Sequence, residues 1–181
     1  MFNSVSFVCV ATLASLSLTA CSTAPQTVEG RSDIREDSNS ALAKAKVADP
    51  TMTKVFDDSH GSAVFPKVGK AAAGVGGAYG KGVLFQGGRV VGYCDVSQAS
   101  IGLAFGGQTY TEIICFEDQK AFERFKTGKF TFDAQATAVA LQSGAGANAK
   151  YSDGVAVFTM DEKGLMFEAA LGGQKFAYQA L

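Results

Sequence analysis

The order of apolar and polar positions divides the chain into three stretches. Residues 1–20 contain no Asp, Glu, Lys, Arg or His and carry an apolar run from about Val5 to Leu18. From Ser22 to Ser40 the chain is polar and mixed in charge, which reads as a tether passing into a helix. The Ala- and Lys-rich stretch Ala41 to Val47 has good helix propensity, and Asp49-Pro50 interrupts it, since Pro50 excludes Asp49 from helical geometry and suits the first turn of a new helix. That second helix sets Met52, Val55 and Phe56 at i, i+3, i+4 and stops at Gly61.

Beyond Gly61 the period becomes two. Ala63–Pro66 reads as a short strand ending at proline, and Ala71–Gln86 as a glycine-rich strand running into a Gly87-Gly88 hairpin turn. Arg89–Ser97 places Val90, Gly92, Cys94 and Val96 on one face, and Ser100–Phe116 places Ile101, Leu103, Phe105 and Ile113 together, with a bend at Gly106-Gly107. Asp118 caps a short helix whose Ala121, Phe122 and Phe125 face inward and which Gly128 ends. Phe130–Leu141 alternates again, with Phe130, Phe132, Ala134, Ala136 and Ala138 on one side. A small polar loop, Ser143–Lys150, precedes closing strands at about Gly154–Met160 and Gly164–Tyr178. The sum is about seven or eight strands and two or three helices: an α+β domain whose strongly twisted antiparallel sheet curls toward a barrel, with N-terminal helices and one short central helix.

The first stretch has the length of a signal-peptide core and is too short and too rich in Ser and Thr to span a bilayer. Leu18-Thr19-Ala20-Cys21 closes it in the form of a bacterial lipobox. Cys21 is therefore expected to be the acylated first residue of the mature protein. The expected organisation is a lipoprotein signal peptide at 1–20, acylated Cys21 and tether at 21–31, and one domain at 32–181. Ser22 after the cysteine is not Asp, which by likeness to lipoproteins of two-membraned bacteria indicates a lipid-anchored place at the outer membrane.

Composition narrows the function. The 181 residues carry a net charge of −1 and a single histidine. That balance offers no basic field for nucleic acid and no His-rich metal site, so no cofactor or metal is expected. Gly74 to Gly82 invites a nucleotide reading, but Tyr79 stands where a dinucleotide fingerprint needs its last glycine. Gly82 likewise follows Lys81 where a phosphate loop needs Ser or Thr. A bent, glycine-rich strand is the better reading. His60 reads as a surface residue at a helix end, and no Gly-x-Ser-x-Gly elbow occurs. No nucleophile, base or metal set emerges, so an enzyme is not expected.

Cys94 and Cys115 both fall on apolar strand faces and are expected to stay unbridged. Lys67, Lys70, Lys81 and Arg89 lie close together in sequence among glycines and apolar residues. They are either solvated strand ends or a rim for phosphate headgroups, where each cation contributes about 1 kcal/mol at an anionic surface.

Several motifs carry a family resemblance: Phe65-Pro66-Lys67-Val68-Gly69-Lys70, Gly76-Gly77-Ala78-Tyr79-Gly80-Lys81-Gly82, and Ser100 to Gln108 with Glu112-Ile113-Ile114-x-Phe116. With Phe125-x-x-Gly128-Lys129-Phe130 and Lys163-Gly164-Leu165, they resemble the SYLF domain over roughly Arg31 to Tyr178. The resemblance implies binding of phosphoinositides or other anionic phospholipids, and in some eukaryotic members of actin, which a bacterial envelope does not offer. It favours the rim reading for Lys67, Lys70 and Lys81. Asp33 to Val47 is evenly charged, unlike the basic amphipathic helix some eukaryotic members use on membranes. The function expected is a non-catalytic envelope lipoprotein that binds anionic lipid. The alternative is a structural or adhesion-type lipoprotein that binds protein partners.

Overall fold

The computed structural model describes residues 23–128, 131–132, 138–140 and 142–181. For residues 100–105, 131–132, 138–139 and 161–172 the backbone alone is described. Residues 1–20, expected to form a leader, and Cys21, Phe130, Ala134 and Ala136 lie outside these residues. In order come α1 (Val28–Ala48), α2 (Met52–Asp58), β1 (Gly61–Gln86), β2 (Arg89–Phe116), α3 (Gln119–Lys126), β3 (Thr131–Phe132), β4 (Ala138–Ala140) and β5 (Val155–Ala180). No helix among the described residues is long and apolar enough to cross a membrane.

The α+β architecture stands, with a sheet that is curled but not closed into a barrel. Its order is β1-β2-β5-β3, with β4 added parallel to β5 and every other pairing antiparallel. The described strands are fewer and longer than the sequence suggests. Ala63–Pro66 and Ala71–Gln86 are one strand, as are Arg89–Ser97 with Ser100–Phe116, and the two closing segments. The physical reason is that the intervening irregularities bend the ladder without ending it. Pro66 sits where the register shifts between Phe65 and Val68, and further shifts occur between Ala73 and Val75 and between Leu84 and Phe85. A bulge accommodates a proline because the extra residue owes the ladder no hydrogen bond.

The Pro66 bulge also reverses which side chains face inward. Ala63 and Phe65 point to the concave side before it; Val68, Ala78 and Leu84 do so after it. At Gly74, whose φ of +82° favours glycine, β1 turns back along itself. A Cβ at Gly82 would lie 2.5 Å from the Val64 carbonyl and one at Gly80 would lie 3.0 Å from that of Lys67, so the two limbs touch backbone to backbone. Gly87 and Gly88, both at positive φ, make the β1–β2 turn the sequence suggests.

Inside the curl, Phe65, Phe116 and Phe176 join Phe122 and Phe125 of α3, with ring centroids 5.0–5.9 Å apart. Asp118 caps α3 by accepting from the Ala121 amide at 2.8 Å, and Gly128 follows at φ +66°, as the pattern implies. The outer face of the same sheet end is covered by α1 and α2, where Ala41, Ala45, Met52 and Val55 meet Val64, Val83, Phe85 and Ile113. α1 starts at Val28, with Thr27 as its cap, inside the stretch whose polarity suggests a tether. It packs through Ser38, Ala41 and Ala45, residues too small to mark an apolar stripe but small enough for close approach to the sheet.

Candidate functional site

The three long strands leave the helix-covered region and cross the bend together: Val75 pairs with Ile101, and Ile101 with Leu171. In β1 the bend alternates between exposed positions Ala71, Ala73, Val75, Gly77 and Tyr79 and more covered ones. Val75 is 69% and Tyr79 48% exposed, the two large apolar side chains that the described strand residues turn to solvent. Charge is missing here too. No charged residue lies between Lys70 and Lys81, none between Asp95 and Glu112, and Glu168 alone between Lys163 and Lys175. Topology stacks these three stretches side by side, with Glu168, the register partner of Ala104, as their one charged residue.

The four cations singled out from the sequence do not share one rim. Lys67 is exposed at the bulge, and the bulge backbone abuts Gly80, next to Lys81. Lys81 is half-buried and, alternating with the inward Gly80 and Gly82, lies on the outer face beside its register partner Asp95. Lys70 is turned into the curl and is 7% exposed. Arg89 is exposed at the far hairpin turn. That turn borders a hollow on one flank of α1 with Leu42, Lys46 and Phe56. Lys67 instead borders a groove of about 360 Å³ on the other flank, with Asp37, Ser40, Lys44 and Thr109. The fold thus brings Lys67 near Lys81 and adds Lys44, which the sequence reading did not single out. Lys44 escapes notice because it lies some twenty residues upstream in an evenly charged helix, and only the docking of α1 brings it to the bulge.

Other residues settle into structural roles. Asp49 is buried, and its carboxylate accepts hydrogen bonds from the Gly146 amide at 2.7 Å and from the Thr51 amide and hydroxyl at 3.0 and 2.8 Å. The Gly146 bond foremost holds its pKa down at about 2, so it joins the α1–α2 corner to the 142–149 loop as an anion. His60 is half-buried rather than a simple surface residue. Its Nε2 lies 2.9 Å from Gln86 Nε2 and its ring meets Phe122 edge-on at 5.3 Å, because β1 returns to its own start there. Cys94 and Cys115 are free and buried, and they belong to the inner and outer cores respectively, on opposite faces of the sheet. Burial pushes the Cys115 thiol up to about 12 and raises that of Cys94, which leaves both unreactive. Among the described residues no group of three or more His, Cys, Asp or Glu is placed to hold a metal ion.

Two comparisons with known proteins bear on this geometry. Residues 97–180 match the family described as Ysc84, Las17-binding protein actin regulator. Over 151 residues the chain is 30% identical to Beta cell expansion factor A of Aeromonas veronii, a match covering 82% of this chain and 57% of that protein. The chain therefore spans little more than half the length of that relative. By residues 97–180 it belongs to the SYLF (Ysc84) family. The stretches Ser100–Phe116, Phe125–Phe130 and Lys163–Leu165 fall inside the matched span. Phe65–Lys70 and Gly76–Gly82 precede it and pair with it as β1.

Proposed function

We propose that the chain is a peripheral membrane-binding SYLF domain that docks by its bend onto anionic lipid. The observation that carries this reading is the charge-poor bend, Glu168 its one charged residue, with Val75 and Tyr79 exposed at it, next to Lys67, whose backbone abuts Gly80 beside Lys81. An apolar tip with flanking cations matches an anionic bilayer surface: apolar side chains enter the headgroup boundary while lysines meet phosphate. Lys44 and Lys67, on the two walls of one groove, are the pair best placed for a single headgroup. Lys70 and Arg89 contribute little on this reading, since one faces inward and the other stands at the distant turn. Acylated Cys21 supplies the outer-membrane anchor, and the domain supplies lipid selectivity.

Vesicle co-sedimentation of the full chain carrying Cys21→Ser tests the reading. Binding should rise with anionic lipid content and fall about 30-fold in Lys67→Ala/Lys81→Ala, at about 1 kcal/mol per cation. Binding indifferent to both would refute it. Cys21→Ser should also move the protein out of the membrane fraction of cells and leave its leader unprocessed.

A further inference from the structure

Past the phenylalanine cluster the interior of the curl turns polar. Gln98 on β2 and Gln174 on β5 are register partners and so share the inner face, with Ala78 completing the row on β1. Glu112, the register partner of Phe65, belongs to the opposite limb. Its carboxylate accepts a hydrogen bond from Gln174 Nε2 at 2.9 Å, which ties the limbs together across the interior. Lys70 adds its positive charge to this carboxyl from β1. All four side chains are more than nine-tenths buried.

Their hydrogen bonding is nevertheless incomplete. Gln98 Nε2 and Oε1, Gln174 Oε1 and Glu112 Oε1 are all buried without a partner. Native interiors satisfy such atoms nearly always, and a group of them on facing walls calls for an occupant. We infer that this inner wall is a binding site for a small, uncharged, hydroxyl-rich molecule. Three of the unmet atoms are oxygens and the fourth is an amide nitrogen with two hydrogens to give. Hydroxyl groups donate and accept, and so match both kinds. The sheet is curled but not closed, and the occupant is held from both limbs at once. This site is separate from the outward Lys67/Lys81 surface and does not depend on lipid binding.

Titration of the full Cys21→Ser chain with glycerol and with D-glucose, followed by ¹H–¹⁵N NMR of glutamine side-chain amides, tests the inference. The Gln98 and Gln174 signals should shift saturably with at least one polyol, and Gln98→Met should abolish that response while vesicle binding persists. Unsaturable drift spread over all glutamines would overturn it, as would saturable binding that Gln98→Met leaves intact, or crystals soaked in either polyol that hold water alone on these atoms. If Gln98→Met does not fold, the wild-type titration and the soaked crystals still decide.

Discussion

The same three strands pass through two environments, and glycine serves opposite ends in them. Where helices cover the sheet, glycines are contact points: a Cβ at Gly82 would meet the Val64 carbonyl at 2.5 Å, and one at Gly61 the Phe85 carbonyl at 2.6 Å. At the bend the approach is looser: a Cβ would lie 4.0 Å from its nearest neighbour at Gly69, 3.7 Å at Gly107 and 3.3 Å at Gly77. The covered end needs glycine for packing. The bend keeps its surface small and charge-poor under a weaker packing demand, which is why its composition invites a reading as an interaction surface.

The largest effect should come from forcing the two environments to exchange roles. Gly82→Val drives a branched side chain into the opposite limb and should prevent folding, seen as loss of soluble protein and of cooperative thermal unfolding. Gly69→Ala should shift stability by no more than about 0.5 kcal/mol. Equal tolerance at both sites would erase the distinction.

How legible each region is in sequence follows from the same contrast. The helix-covered end announces itself: the Asp118 cap, the inward Ala121, Phe122 and Phe125, and the Gly87-Gly88 turn are all local signals that the structure repeats. The bend is legible only in part: its glycines mark bent strand at Gly74–Gly82 and at Gly106-Gly107, but they also look like strand ends, while register with two neighbours carries the ladder through them. The cations show the same limit. Lys67 and Lys70 are three residues apart, yet the Pro66 bulge and strand alternation send one outward and the other inward. Lys44 joins Lys67 only through the docking of α1.

Within the covered end, Phe122→Ala removes a ring that touches His60 and Phe116. It should cost about 3–5 kcal/mol in urea denaturation. A smaller, pH-dependent effect should come from Glu112. Burial raises its carboxyl from 4.5 to about 7, so the folded state holds a proton that the unfolded chain releases. Its contribution is complete below pH 4.5 and is lost as pH rises through about 7. Glu112→Gln should therefore flatten the fall in melting temperature between pH 5 and 8. Asp49 has the opposite sign, since its depressed pKa favours the fold above 3.8 and the benefit vanishes as pH falls toward 2. An unchanged pH profile in Glu112→Gln would contradict a buried, proton-holding carboxyl.

The smallest stability change belongs to the bend. Val75→Asp places a charge at an exposed, unpacked position and should alter the melting temperature by about 2 °C or less. If the bend is merely a solvated end of the sheet, membrane binding will not change either.

That variant supplies the most direct measurement: partition of Cys21→Ser and of Cys21→Ser/Val75→Asp, at equal stability, onto vesicles with and without anionic lipid. Docking through the bend requires the aspartate to reduce binding to anionic vesicles at least tenfold, at a cost of about 1.4 kcal/mol. Equal binding by the two proteins would show that the membrane meets some other face.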